Sequence, residues 1–269
     1  MLAGKEFGIP LYGTMAHSFI EAYDDEAAAF EAFGRSRPQG LTLLIDTYET
    51  EAGARKVVAV ARRLKDAGIA VRGVRLDSGD LTALSNSVRR TLDDGGLGDV
   101  SIFASGGIDE EELVALARAR APIDGFGIGT SLTTSFDVPA LDCAYKLQEY
   151  AGLPRRKRSA GKATWPGRKQ VWRRYGSDGR MSGDVLSLEG DDESGEPLIC
   201  PVMRNGKRLE QGVALDDIRA HAARDLARLP DPLRRLEPGT SYPVEVAQSV
   251  RRLAADVDRR LLRHERVLP

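Results

Sequence analysis

Asp77 and Asp80, two carboxylates with Arg75 just ahead of them, lie in the stretch VRGVRLDSGDL at 71–81. The lead-in of Val71, Val74 and Leu76 gives way to the polar turn at 77–80, the pattern of a buried strand followed by a helix start. Carboxylates and a cation at the carboxyl end of a strand stand where α/β sheets carry ligand chemistry. The same residues also suit a plain helix start, with Asp77 or Ser78 as N-cap, Gly79 in the turn and Asp80 near the positive end of the dipole. His17, which follows the apolar stretch at 9–13, has the chemistry of a proton shuttle, a metal ligand or a nucleophile. A capping-region histidine bonded to the backbone is the plainer alternative.

Other apolar runs end the same way. Residues 41–46 run into Asp46, Thr47, Tyr48 and Glu49, with Glu49 or Thr50 placed to start a helix. Residues 102–105 run into Ser105, Gly106 and Gly107, where glycines permit unusual backbone angles or let a ligand approach the main chain. GFGIGTS at 125–131 offers Gly127, Gly129, Thr130 and Ser131, whose N–H groups and hydroxyls suit an anion. Barrels often bind a substrate phosphate in the loops after their last strands, although a tight strand exit also needs small residues.

Positioning these ends requires a repeated unit. Strands are predicted at 9–13, 41–46, 71–77, 100–105 and 125–129, separated by helices at 18–33, 52–67, 81–93 and 110–119. In the second helix Val57, Val60, Ala61 and Leu64 share one face, and Gly68 suits its C-cap. Strands alternating with helices argue for parallel pairing through right-handed crossovers. Five units are visible, whereas a closed barrel of the common type has eight strands. The fold expected is therefore α/β: an incomplete, irregular (β/α) barrel at 1–140 and a C-terminal strand-and-helix region at 141–269.

Composition excludes several classes. The 269 residues carry 39 Lys and Arg against 40 Asp and Glu, so nothing global favours nucleic acid or a membrane surface. Cys143 and Cys200 are far apart without metal-ligand spacing and fit reduced thiols. No apolar run reaches the roughly 20 residues of a spanning helix, and the amino terminus lacks the plan of a secretory signal, so a cytoplasmic location is expected.

Six ordered stretches, GTMAHS (13–18), LLIDTYET (43–50), VRLDSGDL (74–81), IFASGGID (102–109), DGFGIGTSL (124–132) and GRKQVWR (167–173), resemble the nicotinate phosphoribosyltransferase family. The likeness continues through LICPVM (198–203). It implies a type II phosphoribosyltransferase fold and an ATP-dependent enzyme of NAD biosynthesis. Such an enzyme joins nicotinate to the ribose of phosphoribosyl pyrophosphate, giving nicotinate mononucleotide and pyrophosphate. By the same resemblance His17 is the histidine phosphorylated by ATP, Arg75 packs near the pyridine and ribose, and Asp77 accepts hydrogen bonds from ribose hydroxyls. Ser18 and Ser105 fall in the substrate-binding motifs, and Asp80 is expected to orient Asp77 or a water on Mg²⁺. Gly106, Gly107, Gly127, Gly129 and Thr130 would hold the 5′-phosphate through main-chain N–H groups. Mg²⁺ would bridge pyrophosphate oxygens. The family's longer amino-terminal region lies outside these residues, so the expectation is either a fragment of the complete enzyme, for which the resemblance implies a homodimer, or a second chain that supplies that region. Alternatives from other classes are an inactive interaction module and an unrelated sugar-phosphate barrel enzyme.

Beyond the barrel, residues 155–174 are rich in Arg and Lys, contain no acid, and interleave Trp165 and Trp172. Acidic residues follow soon after, so a solvated or polyanion-facing surface is expected rather than a nucleic-acid site. It is placed near the side from which substrate approaches. Short strands are expected at 185–188 and 198–203, and closing helices at 215–229 and 244–262, with Pro230, Pro232, Pro238 and Pro243 between the helices. His221 and His264 read as surface or packing residues.

Overall fold

The computed structural model describes residues 2–209, 212–237, 239 and 241–265, the side chains of 264 and 265 excepted; Pro238 and the His264 side chain therefore lie outside the described residues. The chain divides into two compact units, Met1–Leu141 and Asp142–Pro269.

In the first unit, helices α1 (Leu2–Phe7), α2 (His17–Glu21) and α3 (Glu26–Ser36) precede β1 (Leu41–Leu44), and α4 (Thr50–Asp66) leads to β2 (Val71–Leu76). There follow α5 (Leu81–Asp94), β3 (Ser101–Ser105), α6 (Glu110–Arg118), β4 (Gly125–Gly127) and α7 (Thr130–Thr134). The strands form one parallel sheet in the order β1-β2-β3-β4. Alternation sorts its two faces. Val74 and Leu76 of β2 pair with Ile102 and Ala104 of β3, and all four are buried in the core with Val57, Val60 and Leu64 of α4 and Val88 and Leu92 of α5. Each fully buried aliphatic side chain of this kind contributes about 1.5–3 kcal/mol.

Two local expectations change in this unit. Residues 9–13 form no strand, and Ile9, Leu11 and Tyr12 are exposed. A strand needs a partner to satisfy its backbone, and among the described residues this stretch has none. The helix expected at 18–33 is broken, because the Asp25 carboxylate accepts from the Ala27 N–H at 3.1 Å and starts α3 afresh. Glu49 caps α4 by accepting from the Ala52 N–H at 2.7 Å, and Gly68 lies just past its end with φ +73°.

The second unit contains β5 (Glu149–Tyr150), β6 (Leu153–Pro154), β7 (Lys169–Tyr175), β8 (Met181–Leu188), β9 (Glu196–Pro197), β10 (Met203–Arg204) and β11 (Lys207–Arg208). Helix α8 (Leu215–Arg228), a 3-10 turn at Asp231–Arg234, β12 (Val244–Val246) and α9 (Gln248–Glu265) complete it. Its main sheet runs β12-β8-β7-β9. Residues 244–246, expected to open the last helix, instead pair in parallel with Asp184, Val185 and Leu186 of β8. β-branched Val244 and Val246 suit an edge strand better than a helix start. The stretch 198–203 is largely irregular, held to β7 where the Gln170 side chain bonds the Ile199 N–H and carbonyl. Cys143 and Cys200 are free and exposed. Among the described residues no helix is long and apolar enough to cross a membrane.

Candidate active site

Parallel register brings the polar strand ends side by side. Leu44 pairs with Arg75, Arg75 with Phe103, and Ser105 with Gly127. Asp46, Asp77, Ser105 and Gly127 therefore stand together at the carboxyl edge of the four strands.

Arg75 is the hub. Its Nε donates to Ser105 Oγ at 2.7 Å, its Nη1 to Thr14 Oγ1 at 3.1 Å, and its Nη2 to Asp77 Oδ1. Three acceptors fix the plane of the guanidinium, which a lysine could not match. The buried Ser105 hydroxyl accepts from Arg75 and donates to Asp77 Oδ1. Burial pushes the Asp77 carboxyl up, but the Ser105 hydroxyl, the Arg75 guanidinium and the imidazole of His17 outweigh that and hold it below the usual carboxylate range. Asp77 is thus a carboxylate at neutral pH, with Oδ1 occupied and Oδ2 turned toward His17.

His17 opens α2 and bridges two strand ends. Its Nδ1 lies 3.0 Å from Thr47 Oγ1 and its Nε2 3.5 Å from Asp77 Oδ2. Asp46 ties β1 to the loop after β2, since its Oδ2 accepts from the Asp77 N–H at 2.7 Å and the Ser78 hydroxyl at 2.8 Å. Its Oδ1 is buried and has no hydrogen-bond partner among the described residues. Gly106, at φ +94°, packs so closely that a Cβ there would fall 1.8 Å from the Asp77 carbonyl oxygen.

His17, Arg75, Asp77 and Ser105, which the resemblance assigns to one site, form one network of hydrogen bonds and ion pairs. Gly106 touches its backbone, and a Cβ on Gly127 would lie 3.1 Å from that of Ser105. Asp80 instead serves as N-cap of α5, where its Oδ1 accepts from the Ala83 N–H at 2.9 Å. Ser18 is exposed on α2, Gly107 lies open beside Gly106, and Gly129 and Thr130 are exposed past the end of β4. Thr14, Asp46 and Thr47 were missed as site residues. Asp46 and Thr47 carried a signal, because their strand end has the same polar character as the one at Asp77; Thr14 carried none beyond its nearness to His17.

The basic segment of the second unit is largely consumed internally. Arg168 pairs with Glu189 at 2.8 Å, Arg156 with Asp258 at 3.2 Å, and Arg173 with the buried Asp184 at 3.0 Å, beside the Tyr242 hydroxyl. Lys169 donates to the Trp165 and Gly167 carbonyls, and desolvation lowers its pKa against the pull of Glu149. Trp165 lies under the guanidinium groups of Arg156 and Arg251. These cations and aromatic groups build the unit's own structure.

Residues 1–151 match the model of the nicotinate phosphoribosyltransferase (NAPRTase) family, and residues 191–254 match the nicotinate phosphoribosyltransferase C-terminal domain. Among curated relatives, nicotinate phosphoribosyltransferase pncB2 of Mycobacterium tuberculosis is 50% identical over 252 residues, covering 93% of this chain and 54% of the relative. The nicotinate phosphoribosyltransferase of Bacillus subtilis is 32% identical over 277 residues, covering 91% and 56%. The crystal structure of human nicotinic acid phosphoribosyltransferase superposes with a TM-score of 0.80 at 27% identity, covering 95% of this chain and 63% of that one. Nicotinate-nucleotide pyrophosphorylase from Pyrococcus furiosus gives 0.67 at 26% identity, covering 84% and 57%. The chain thus spans about half the length of the curated relatives it matches.

Proposed function

The chain belongs to the nicotinate phosphoribosyltransferase family, and on that premise we propose that its strand-end network serves the transfer of ribose 5-phosphate from phosphoribosyl pyrophosphate to nicotinate, in NAD biosynthesis and with ATP hydrolysis coupled to it. The observation that carries this reading is the convergence of His17, Arg75, Asp77 and Ser105, from separate segments, on one edge of a parallel sheet.

Displacing pyrophosphate at the anomeric carbon builds positive charge on the sugar ring. An ionised carboxylate beside the sugar lowers the energy of that state, and preorganised charge does so without reorganisation at the moment of reaction. Asp77 suits this role: Arg75 and Ser105 lock its Oδ1, so Oδ2, which faces His17 Nε2 at 3.5 Å, is the oxygen with a second lone pair for ribose hydroxyls. The pinned Arg75 offers a flat cation to the aromatic base. Main-chain N–H groups of Gly106, Gly107, Gly127, Gly129 and Thr130 are assigned to the 5′-phosphate. Ser18 and Asp80 are kept as lesser contacts of the substrate loops, Asp80 with one oxygen already used as a cap.

His17 is assigned as phosphoryl acceptor. An imidazole nitrogen attacks the γ-phosphorus of ATP, the N–P bond forms, and the bond to the bridging oxygen breaks with its electron pair leaving on ADP. Hydrolysis of the phosphohistidine then yields phosphate. For Mg²⁺, no group of three or more His, Cys, Asp or Glu side chains among the described residues makes a protein cage. The ion fits as one carried by substrate phosphates and waters, with the unpartnered Asp46 Oδ1 as the oxygen nearest in kind to its needs. When bound it would neutralise charge on the leaving pyrophosphate. A homodimer of the complete enzyme in the cytoplasm is part of the same reading.

Replacing His17 by Ala tests the ATP step. In active enzyme, His17→Ala is expected to abolish the stimulation of product formation by ATP and the label transferred from γ-labelled ATP. Stimulation equal to wild type would overturn the assignment.

A further inference from the structure

We infer that Thr47 is a positioning residue for His17, its hydroxyl donating to Nδ1 and fixing the imidazole with its proton on Nε2. Among the described residues two groups face the ring. Asp77 Oδ2 lies 3.5 Å from Nε2, and Thr47 Oγ1 lies 3.0 Å from Nδ1. An ionised carboxylate only accepts, so the nitrogen it faces carries the proton. The opposite tautomer would set a nitrogen lone pair against the Asp77 charge. With Nε2 protonated, Nδ1 is bare in the neutral ring, and among the described residues the Thr47 hydroxyl is the partner that can turn its proton toward it.

Neither neighbour is free to drift. Asp77 is held through Oδ1 by Arg75 and Ser105 and through its N–H by Asp46. Thr47 directly follows Asp46, a buried residue two positions past the end of β1. The ring is therefore suspended between two adjacent strand ends, and a second partner on one nitrogen commonly sets the tautomer and basicity of the other.

What this placement serves rests on the reading of His17 as phosphoryl acceptor; the placement itself does not. In the fixed tautomer only Nδ1 has a lone pair for phosphorus. As the N–P bond forms and ADP leaves, the Nε2 proton stays, and the positive charge gained by the ring faces the Asp77 carboxylate. Because Thr47 Oγ1 stands 3.0 Å from Nδ1 on the line the phosphorus must take, the Thr47 side chain swings away from Nδ1 as the N–P bond forms.

The sequence has only three histidines, so the ring nitrogens of His17 can be resolved by ¹⁵N labelling of the full chain. Recorded where the ring-nitrogen shifts no longer change with rising pH, wild type and Thr47→Ser are expected to show two widely separated shifts with the proton on Nε2. Thr47→Val is expected to shift both nitrogens toward the averaged position of an exchanging ring. A proton on Nδ1 in wild type overturns the inference, as does an unchanged spectrum in folded Thr47→Val. If that variant does not fold, the wild-type tautomer and its retention in Thr47→Ser decide the matter. Failure of γ-labelled ATP to mark His17, with the tautomer as stated, overturns the phosphoryl-acceptor reading and leaves the role of Thr47 intact.

Discussion

Asp77 keeps its charge although burial works against it, because Ser105, Arg75 and His17 all favour the ionised form. An amide in its place would match the shape and could still accept from Arg75 through its carbonyl oxygen, but it loses the charge and replaces the oxygen facing His17 with a donor. Asp77→Asn is therefore expected to lower turnover in active enzyme by about 10²–10³-fold, the usual cost of removing one transition-state electrostatic partner. Steady-state kinetics at saturating substrate check this, and wild-type turnover would remove Asp77 from the reaction. The sequence made Asp77 and Arg75 visible because charged groups at the end of an apolar run are conspicuous. Asp46 and Thr47 were less legible, since a carboxylate that bonds a neighbouring loop and a hydroxyl that bonds a histidine act through strand pairing, which local pattern does not encode.

Pairing also explains which elements could be read in advance. Strands β1 to β4 and helices α4 to α6 follow apolar periodicity, and their positions agree with expectation to within a few residues. Residues 9–13 have the composition of a strand but no partner, and 244–246 join β8, a choice made by a neighbour distant in sequence. The site depends on the loop after β3 lying against the loop after β2, which gives two adjacent glycines different costs. Gly107, at φ +71°, has open space around a Cβ, so Gly107→Ala should cost only the left-handed backbone, roughly 1–2 kcal/mol. In Gly106→Ala the methyl would meet the Asp77 carbonyl at 1.8 Å, so backbone must move and the loss should be larger by about 1–3 kcal/mol. Urea unfolding of the two variants checks the difference; equal losses would mean that the loops are not in contact.

Over the whole molecule, the parallel sheet of the first unit gathers the candidate site residues, while many charges of the second unit go into its own ion pairs. That division was only half legible. A run of arginines and lysines free of acids reads as a surface for anions, yet its partners, Glu189, Asp184 and Asp258, come from later in the chain. Phe103, Phe126 and Leu132 in the first unit and Leu215, Ile218 and Leu226 on α8 are exposed. Calorimetric titration of the purified chain with phosphoribosyl pyrophosphate shows whether the strand-end network is a site for a phosphorylated sugar. Saturable binding by wild type that is lost in Arg75→Met is the predicted result. Absence of binding by wild type, or equal binding by the variant, would contradict it.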